Sequence, residues 1–125
     1  MQKCQQIRQA ASWIELLSTM KARPKLVGIL QSSPPLAKQL LTYCHVKGLS
    51  SFGKANRINT QLMAETIAAS ACDSLICDRE HYETLFHVLH HHPQKMTVIL
   101  NQEIKLPDWC CQFHNHNFLC QQDLD

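Results

Sequence analysis

The chain has 125 residues, 45% of them hydrophobic and 18% charged, with a formal net charge of +2, which suits one hydrophobic core and is too apolar for a disordered tail. Its basic residues are scattered, so nucleic acid is not implied, and no run approaches the roughly 18 consecutive apolar residues of a membrane span. Seven cysteines, an odd number behind a polar N-terminus with no signal-peptide pattern, read as reduced thiols in a cytosol and not as a disulfide scaffold.

From Lys3 to Met20 the apolar residues Ile7, Ala10, Ile14 and Leu17 recur at spacings of three and four, with Trp13, Leu16 and Met20 widening the stripe. That period predicts an amphipathic helix, closed by Lys21 to Arg23 and stopped at Pro24. Pro24 also suits the first turn of a short buried helix, Lys25 to Gln31, carrying Leu26, Val27, Ile29 and Leu30. Ser33 is placed to cap a third helix, with Pro34 in its first turn, Leu36, Leu40, Leu41 and Cys44 inside, and Gly48 ending it in the left-handed conformation.

Leu49 to Asn59 reads as a polar connection anchored by Leu49 and Phe52. Thr60 is the expected cap of a fourth helix reaching Ile76, whose small residues Ala64, Ala68, Ala69, Ser70 and Ala71 would place it at the centre of a bundle. Asp78 is the expected cap of a fifth helix, with Tyr82, Leu85, Phe86 and Leu89 on one stripe as far as Pro93. Met96 to Leu100 and Glu103 to Leu106 form the one candidate hairpin. Leu106 and Pro107 introduce a last short helix with Trp109 and Phe113, and residues 121–125 fray.

Three glycines and five prolines leave little room for the tight turns of a sandwich or barrel. The expected fold is therefore mainly α: a single compact helical domain over 1–125, of five or six short helices, with a small β-hairpin near 96–106. Its core should hold Ile14, Leu17, Leu26, Ile29, Leu30, Leu36, Leu40, Leu62, Ile67, Leu75, Leu85, Phe86 and Leu89.

No pattern of catalytic residues emerges. The cluster Cys110, Cys111, His114, His116 and Cys120 offers the ligand types zinc prefers, but adjacent cysteines do not readily aim both sulfurs at one ion and no knuckle spacing is present. These five remain the metal candidates, with no metal and no cofactor expected. His90, His91 and His92 fit a solvated helix end, with a pH-sensitive contact or a metal pair as the functional readings. Cys72 and Cys77 stand five apart, unlike the redox C-x-x-C. Asp78, Glu80 and Glu83 match the acidic first turn of any helix, and Gly28, Gly48 and Gly53 make no phosphate loop. Lys47, Lys54 and Arg57 form a modest basic patch, most simply a solvated face. Trp13 and Trp109 fit either interface anchors or core residues.

The stretch from Met20 to Phe52 carries M-x3-P-x-L-x2-I-L, then L-x3-L, then G-L-x2-F, on Met20, Pro24, Leu26, Ile29, Leu30, Leu36, Leu40, Gly48, Leu49 and Phe52. It resembles the accessory subunit of the sorting platform of bacterial type III secretion systems, the OrgA and MxiK family. Met20 stands where that family tends to have Trp, Ser50 where it has Pro, and the chain is shorter than its members. Ser33-Pro34-Pro35-Leu36-Ala37, leading to Leu40, Leu41, Cys44 and His45, is also similar to the opening of HDOD signalling domains, without that motif's Asp and Asn.

The first resemblance implies a non-enzymatic cytoplasmic adaptor for protein transport and virulence. It would lie peripheral to an inner-membrane complex, without membrane insertion, and bind the cytoplasmic domain of a secretion ring and a platform pod protein. The alternatives are a Cys/His metal-binding or thiol-redox protein and an HDOD-like signalling or regulatory protein.

Overall fold

The computed structural model describes residues 2–53, 59–92 and 94–124, with the side chains of the first helix described from Arg8 onward. The expectations placed on the Ile7 side chain, Lys54, Arg57 and Pro93 lie outside the described residues.

The architecture is α/β, not mainly α. Five parallel strands form one sheet in the order β2-β1-β3-β4-β5: β1 (Leu26–Leu30), β2 (Ser50–Gly53), β3 (Ser74–Cys77), β4 (Thr97–Leu100) and β5 (Asn117–Leu119). The helices are α1 (Gln2–Thr19), α2 (Pro34–Val46), α3 (Thr60–Ala69) and α4 (Tyr82–His91). Short 3₁₀ turns occupy Arg79–His81, Asp108–Phe113 and Gln121–Leu124. The chain leaves β1 for β2 on one side and returns for β3 on the other, which makes the order doubly wound.

The expected helix from Lys25 to Gln31 is strand β1. Its five residues alternate across the sheet. Val27 and Ile29 enter the core shared with α1 and α2, and Leu30 enters the core shared with α3 and α4. A strand covered on both faces loses its polar positions and reads as a continuous apolar run, which a periodicity argument cannot tell from a buried helix. The Asp73 carboxylate pins its start by accepting from the Lys25 amide at 2.9 Å and the Leu26 amide at 3.1 Å. At Gly28 a Cβ would stand 2.7 Å from Leu75 Cδ2, so glycine here lets β3 side chains close over β1.

The other corrections follow from the same sheet. The fourth helix stops at Ala69 instead of reaching Ile76. Ser70 caps it, and Ala71 turns the chain with a φ of 57°, so that Leu75 and Ile76 stand in β3. Its N-cap is Asn59, whose side chain accepts from the Leu62 amide at 2.7 Å, and not Thr60. The connection after Gly48 contains β2. No hairpin forms near 96–106, because β4 pairs in parallel with β3 and β5. Glu103 to Leu106 is instead a loop tied to the C-terminal segment through the Gln121 and Gln122 amides, which donate to the Glu103 and Ile104 carbonyls. Leu62, expected in the core, is 49% exposed, since α3 turns Met63, Ala64 and Ile67 inward. Leu26 and Phe86 are only partly buried.

Helix α2 follows its sequence signals. Ser33 caps it by accepting from the Leu36 amide, Pro34 opens it, and Gly48 takes the left-handed conformation at a φ of 71°. Trp13, Ile14 and Leu17 of α1 join Leu36, Leu40 and Cys44 of α2 on one face of the sheet. Met63, Ala64 and Ile67 of α3 join Leu85, Val88 and Leu89 of α4 on the other, together with Cys110 and Phe113. Among the described residues no helix is long and apolar enough to cross a membrane.

Candidate functional site

In an open doubly wound sheet, ligands gather outside the carboxyl ends of the strands, where the strand order reverses. Here the reversal falls between β1 and β3. The residues leaving the strands at that rim are Gln31 and Ser32 after β1, Asp78 after β3, and Asn101 to Glu103 after β4.

These groups are bonded mainly to one another. Gln31 Nε2 donates to Asn101 Oδ1 at 3.0 Å while Asn101 Nδ2 donates to Gln31 Oε1 at 3.0 Å. Gln31 Nε2 also reaches the Ile76 carbonyl at 3.1 Å, and Gln121 Nε2 donates to the Asn101 carbonyl at 3.0 Å. The amides thus link the ends of β1, β3, β4 and the segment after β5, and both members of the central pair are buried.

Asp78 holds the switch point itself. One carboxylate oxygen accepts from the Ser32 amide at 2.6 Å, and the other faces His81 Nδ1 at 2.6 Å. Burial pushes the Asp78 carboxyl up, but the bonds from His81 and Ser32 and the His81 charge outweigh it, and the group ends below its ordinary value. An ionised carboxylate only accepts, so Nδ1 is the protonated nitrogen of His81 in this bond. The arrangement could orient a general base at His81 Nε2, but no nucleophile is bonded to that atom among the described residues.

A second latch joins the loops after β3 and β4. Arg79 grips Glu103 with two nitrogens, at 3.1 and 3.2 Å, and donates to the Gln102 carbonyl at 3.0 Å. Tyr82 donates its hydroxyl to Glu103 at 2.8 Å. The Arg79 bond holds the Glu103 carboxyl below its usual range despite partial burial, while burial and the Glu103 bond push the Tyr82 phenol up. Beside this latch lies an open groove of about 440 Å³, lined by Arg79, Glu103, Lys105 and Asp108 with Ile104, Leu106 and Pro107. Ile104 is 74% exposed.

The sequence candidates fall elsewhere. Cys110, His116 and Cys120 are buried, whereas Cys111 and His114 are exposed. Among the described residues no three His, Cys, Asp or Glu side chains are gathered closely enough to hold an ion between them. Burial pushes the Cys110 thiol up to about 11, with Cys111 and Cys120 adding to it, and burial likewise raises Cys120. His116 Nδ1 accepts from the Met96 amide at 3.1 Å, which assigns its proton to Nε2, a buried atom with no hydrogen-bond partner among the described residues. Cys72, also raised to about 11, and Cys77 are buried in the α3 and α4 core. His90 meets Phe113 edge-on at 5.1 Å, and His45 is exposed.

Trp109 sits among Tyr82, Phe86, Phe113 and Phe118, and Trp13 is 1% exposed. Both tryptophans serve packing. Of the positions resembling the secretion family, Pro24, Ile29, Leu30, Leu36, Leu40 and Leu49 are buried, Leu26 and Phe52 are partly buried, and Gly48 is exposed at a turn. Most of that pattern therefore lies in the core.

Gln31 and Asn101 are missed from sequence, and Asp78 is read there only as a helix cap, whereas its side chain makes no cap bond and turns to Ser32 and His81; a signal existed for all three. Each is the first polar residue after a short apolar run: LVGIL, SLIC and TVIL.

No protein-family model matches the chain, and no curated protein matches it in sequence. Two solved structures are similar in fold. One is IdnL7, at a TM-score of 0.65 and 20% identity over 90% of this chain and 21% of that one. The other is the Vibrio cholerae adenylation domain AlmE in complex with glycyl-adenosine-5'-phosphate, at a TM-score of 0.65 and 18% identity over 96% of this chain and 23% of that one. The chain spans little more than a fifth of the length of these structures, and the likeness is one of fold.

Proposed function

We propose that this chain is a non-catalytic cytoplasmic binding lobe, a doubly wound unit that works by docking against other protein. The observation that carries this reading is the bonding of the carboxyl rim. Gln31 with Asn101, Asp78 with Ser32 and His81, and Arg79 with Glu103 engage the polar groups that an α/β enzyme would turn toward a substrate. Ile104 and Leu106 stand exposed beside the rim, an apolar pair flanked by Lys105 and Asp108, in keeping with a small protein-contact surface. The lobe's likeness to a fifth of larger structures fits a unit that acts together with more polypeptide.

The narrower role, an accessory subunit of a type III secretion platform meeting a secretion ring and a pod protein, rests on the Met20 to Phe52 pattern alone. A second reading takes its support from the neighbour solved with glycyl-adenosine-5'-phosphate: the lobe would contribute one wall of a nucleotide site completed by other polypeptide.

Calorimetry with ATP and AMP, alongside affinity recovery from cells expressing the protein, tests these readings. The docking reading expects no saturable nucleotide binding, together with a recovered partner that is lost in an Ile104→Glu/Leu106→Glu variant of unchanged circular dichroism. Nucleotide binding abolished by Asp78→Asn would replace it with the second reading.

A further inference from the structure

The groove between α3 and α4, on the face of the sheet covered by those helices, holds a set of side chains that the docking role does not use. His87 and His91 lie one turn apart on α4, both exposed, with ring centroids 4.7 Å apart. Residues four apart share one helix face, and two imidazoles so placed can present nitrogens to a single ion, as in the H-x3-H pair of helical zinc sites. Glu65 of α3 lines the same groove, as does His92, and the walls between them are Ala64, Ala68 and Val88. The two alanines leave a cavity of about 100 Å³ there.

We propose that His87 and His91 form a binding site for a divalent transition-metal ion of the zinc class, which Glu65 completes from the facing helix. The close imidazole pair, with ring centroids 4.7 Å apart, is the part already in place. Because no three such side chains already converge, the carboxylate must turn toward the pair. Glu65 is exposed, and its side-chain bond among the described residues, accepted from Gln61 Nε2 at 3.3 Å, is long and open to solvent. Two nitrogens and one oxygen suit zinc and disfavour magnesium, which takes oxygen ligands and keeps its water. An ion held this way would clamp α3 to α4.

The site is distinct from the Cys110 to Cys120 cluster, whose Cys110 and Cys120 thiols are buried and raised, and the experiment separates the two. Tag-free, reduced protein is titrated with zinc chloride by calorimetry, with magnesium chloride as the comparison ion. Wild type is expected to bind about one zinc ion per chain. Affinity should fall about tenfold or more in His87→Ala and in His91→Ala, and about threefold in Glu65→Gln, since each removes one ligand. Cys111→Ser and His114→Ala should leave it unchanged.

All five positions are exposed, and circular dichroism checks that each variant folds. In wild type, zinc should shift the imidazole nitrogen resonances of His87 and His91. Absence of zinc binding, its retention in a His87→Ala/His91→Ala variant, or its loss in Cys111→Ser would each overturn the proposal.

Discussion

The side-chain amides of Gln31 and Asn101, separated by 70 positions in sequence, hydrogen-bond each other in both directions at 3.0 Å across the end of β3. Both are buried, so each is the other's replacement for water. Truncating one leaves its partner unsatisfied, at a cost of about 1–3 kcal/mol, whereas replacing both by apolar groups of similar shape is nearly neutral. Urea unfolding should therefore find Asn101→Leu destabilised by about 2 kcal/mol, with Gln31→Leu/Asn101→Leu recovering part of the loss. Simple additivity of the two single variants would contradict the pairing.

Ala71 offers a stabilising change. It holds a φ of 57° just after the Ser70 cap of α3 and is exposed. A left-handed residue with a Cβ costs about 1–2 kcal/mol, part of which glycine returns through its greater freedom in the unfolded chain. Ala71→Gly should raise stability by about 0.5–1 kcal/mol, measured as an upward shift of the urea midpoint at unchanged slope.

The same position explains why the fourth helix was overextended from sequence. Its end carries no glycine and no proline, only an alanine forced into a conformation that alanine rarely signals, so Thr60 to Ile76 read as one helix. Helices with ordinary punctuation were legible: Ser33, Pro34 and Gly48 mark α2, and the stripe of Leu85 and Leu89 marks α4. The strands were not, because central parallel strands are covered on both faces and lose the alternation that identifies a strand. Gln31 and Asn101 are individually unremarkable polar residues, and Asp78 reads as an ordinary helix cap, until the topology brings the ends of β1, β3 and β4 side by side.

The cysteines should divide by reactivity. Cys111 is exposed, while Cys44, Cys72, Cys77, Cys110 and Cys120 are buried. Burial holds the Cys72 and Cys110 thiols at about 11, so little thiolate exists at pH 8 even where reagent could reach. Iodoacetamide followed by peptide mass spectrometry should label Cys111 roughly a hundredfold faster than Cys72 or Cys77 in native protein. Denaturant should bring the rates together. Rapid native labelling of Cys72 would be incompatible with its place under Gly28.

Asp78 makes stability depend on pH at the acid end. Its carboxyl lies below the ordinary value of 3.8 because the His81 and Ser32 bonds outweigh the burial that opposes them. A group depressed in the folded state contributes stability that is fully present above its unfolded value and is lost as pH falls through its folded one. The loss therefore begins near 3.8 and continues downward. At pH 7, Asp78→Asn should cost about 1–3 kcal/mol, since the Ser32 amide and His81 lose a charged acceptor. Below pH 3.8 the gap between wild type and variant should narrow, because the wild-type carboxyl is then being protonated as well. Glu103 is depressed too, chiefly by Arg79, so the variant keeps some acid sensitivity. The informative quantity is thus the difference between the two urea midpoints, followed from pH 7 to pH 3. A gap that widens as pH falls below 3.8 would mean that Asp78 is not held as the ionised acceptor at the end of β3.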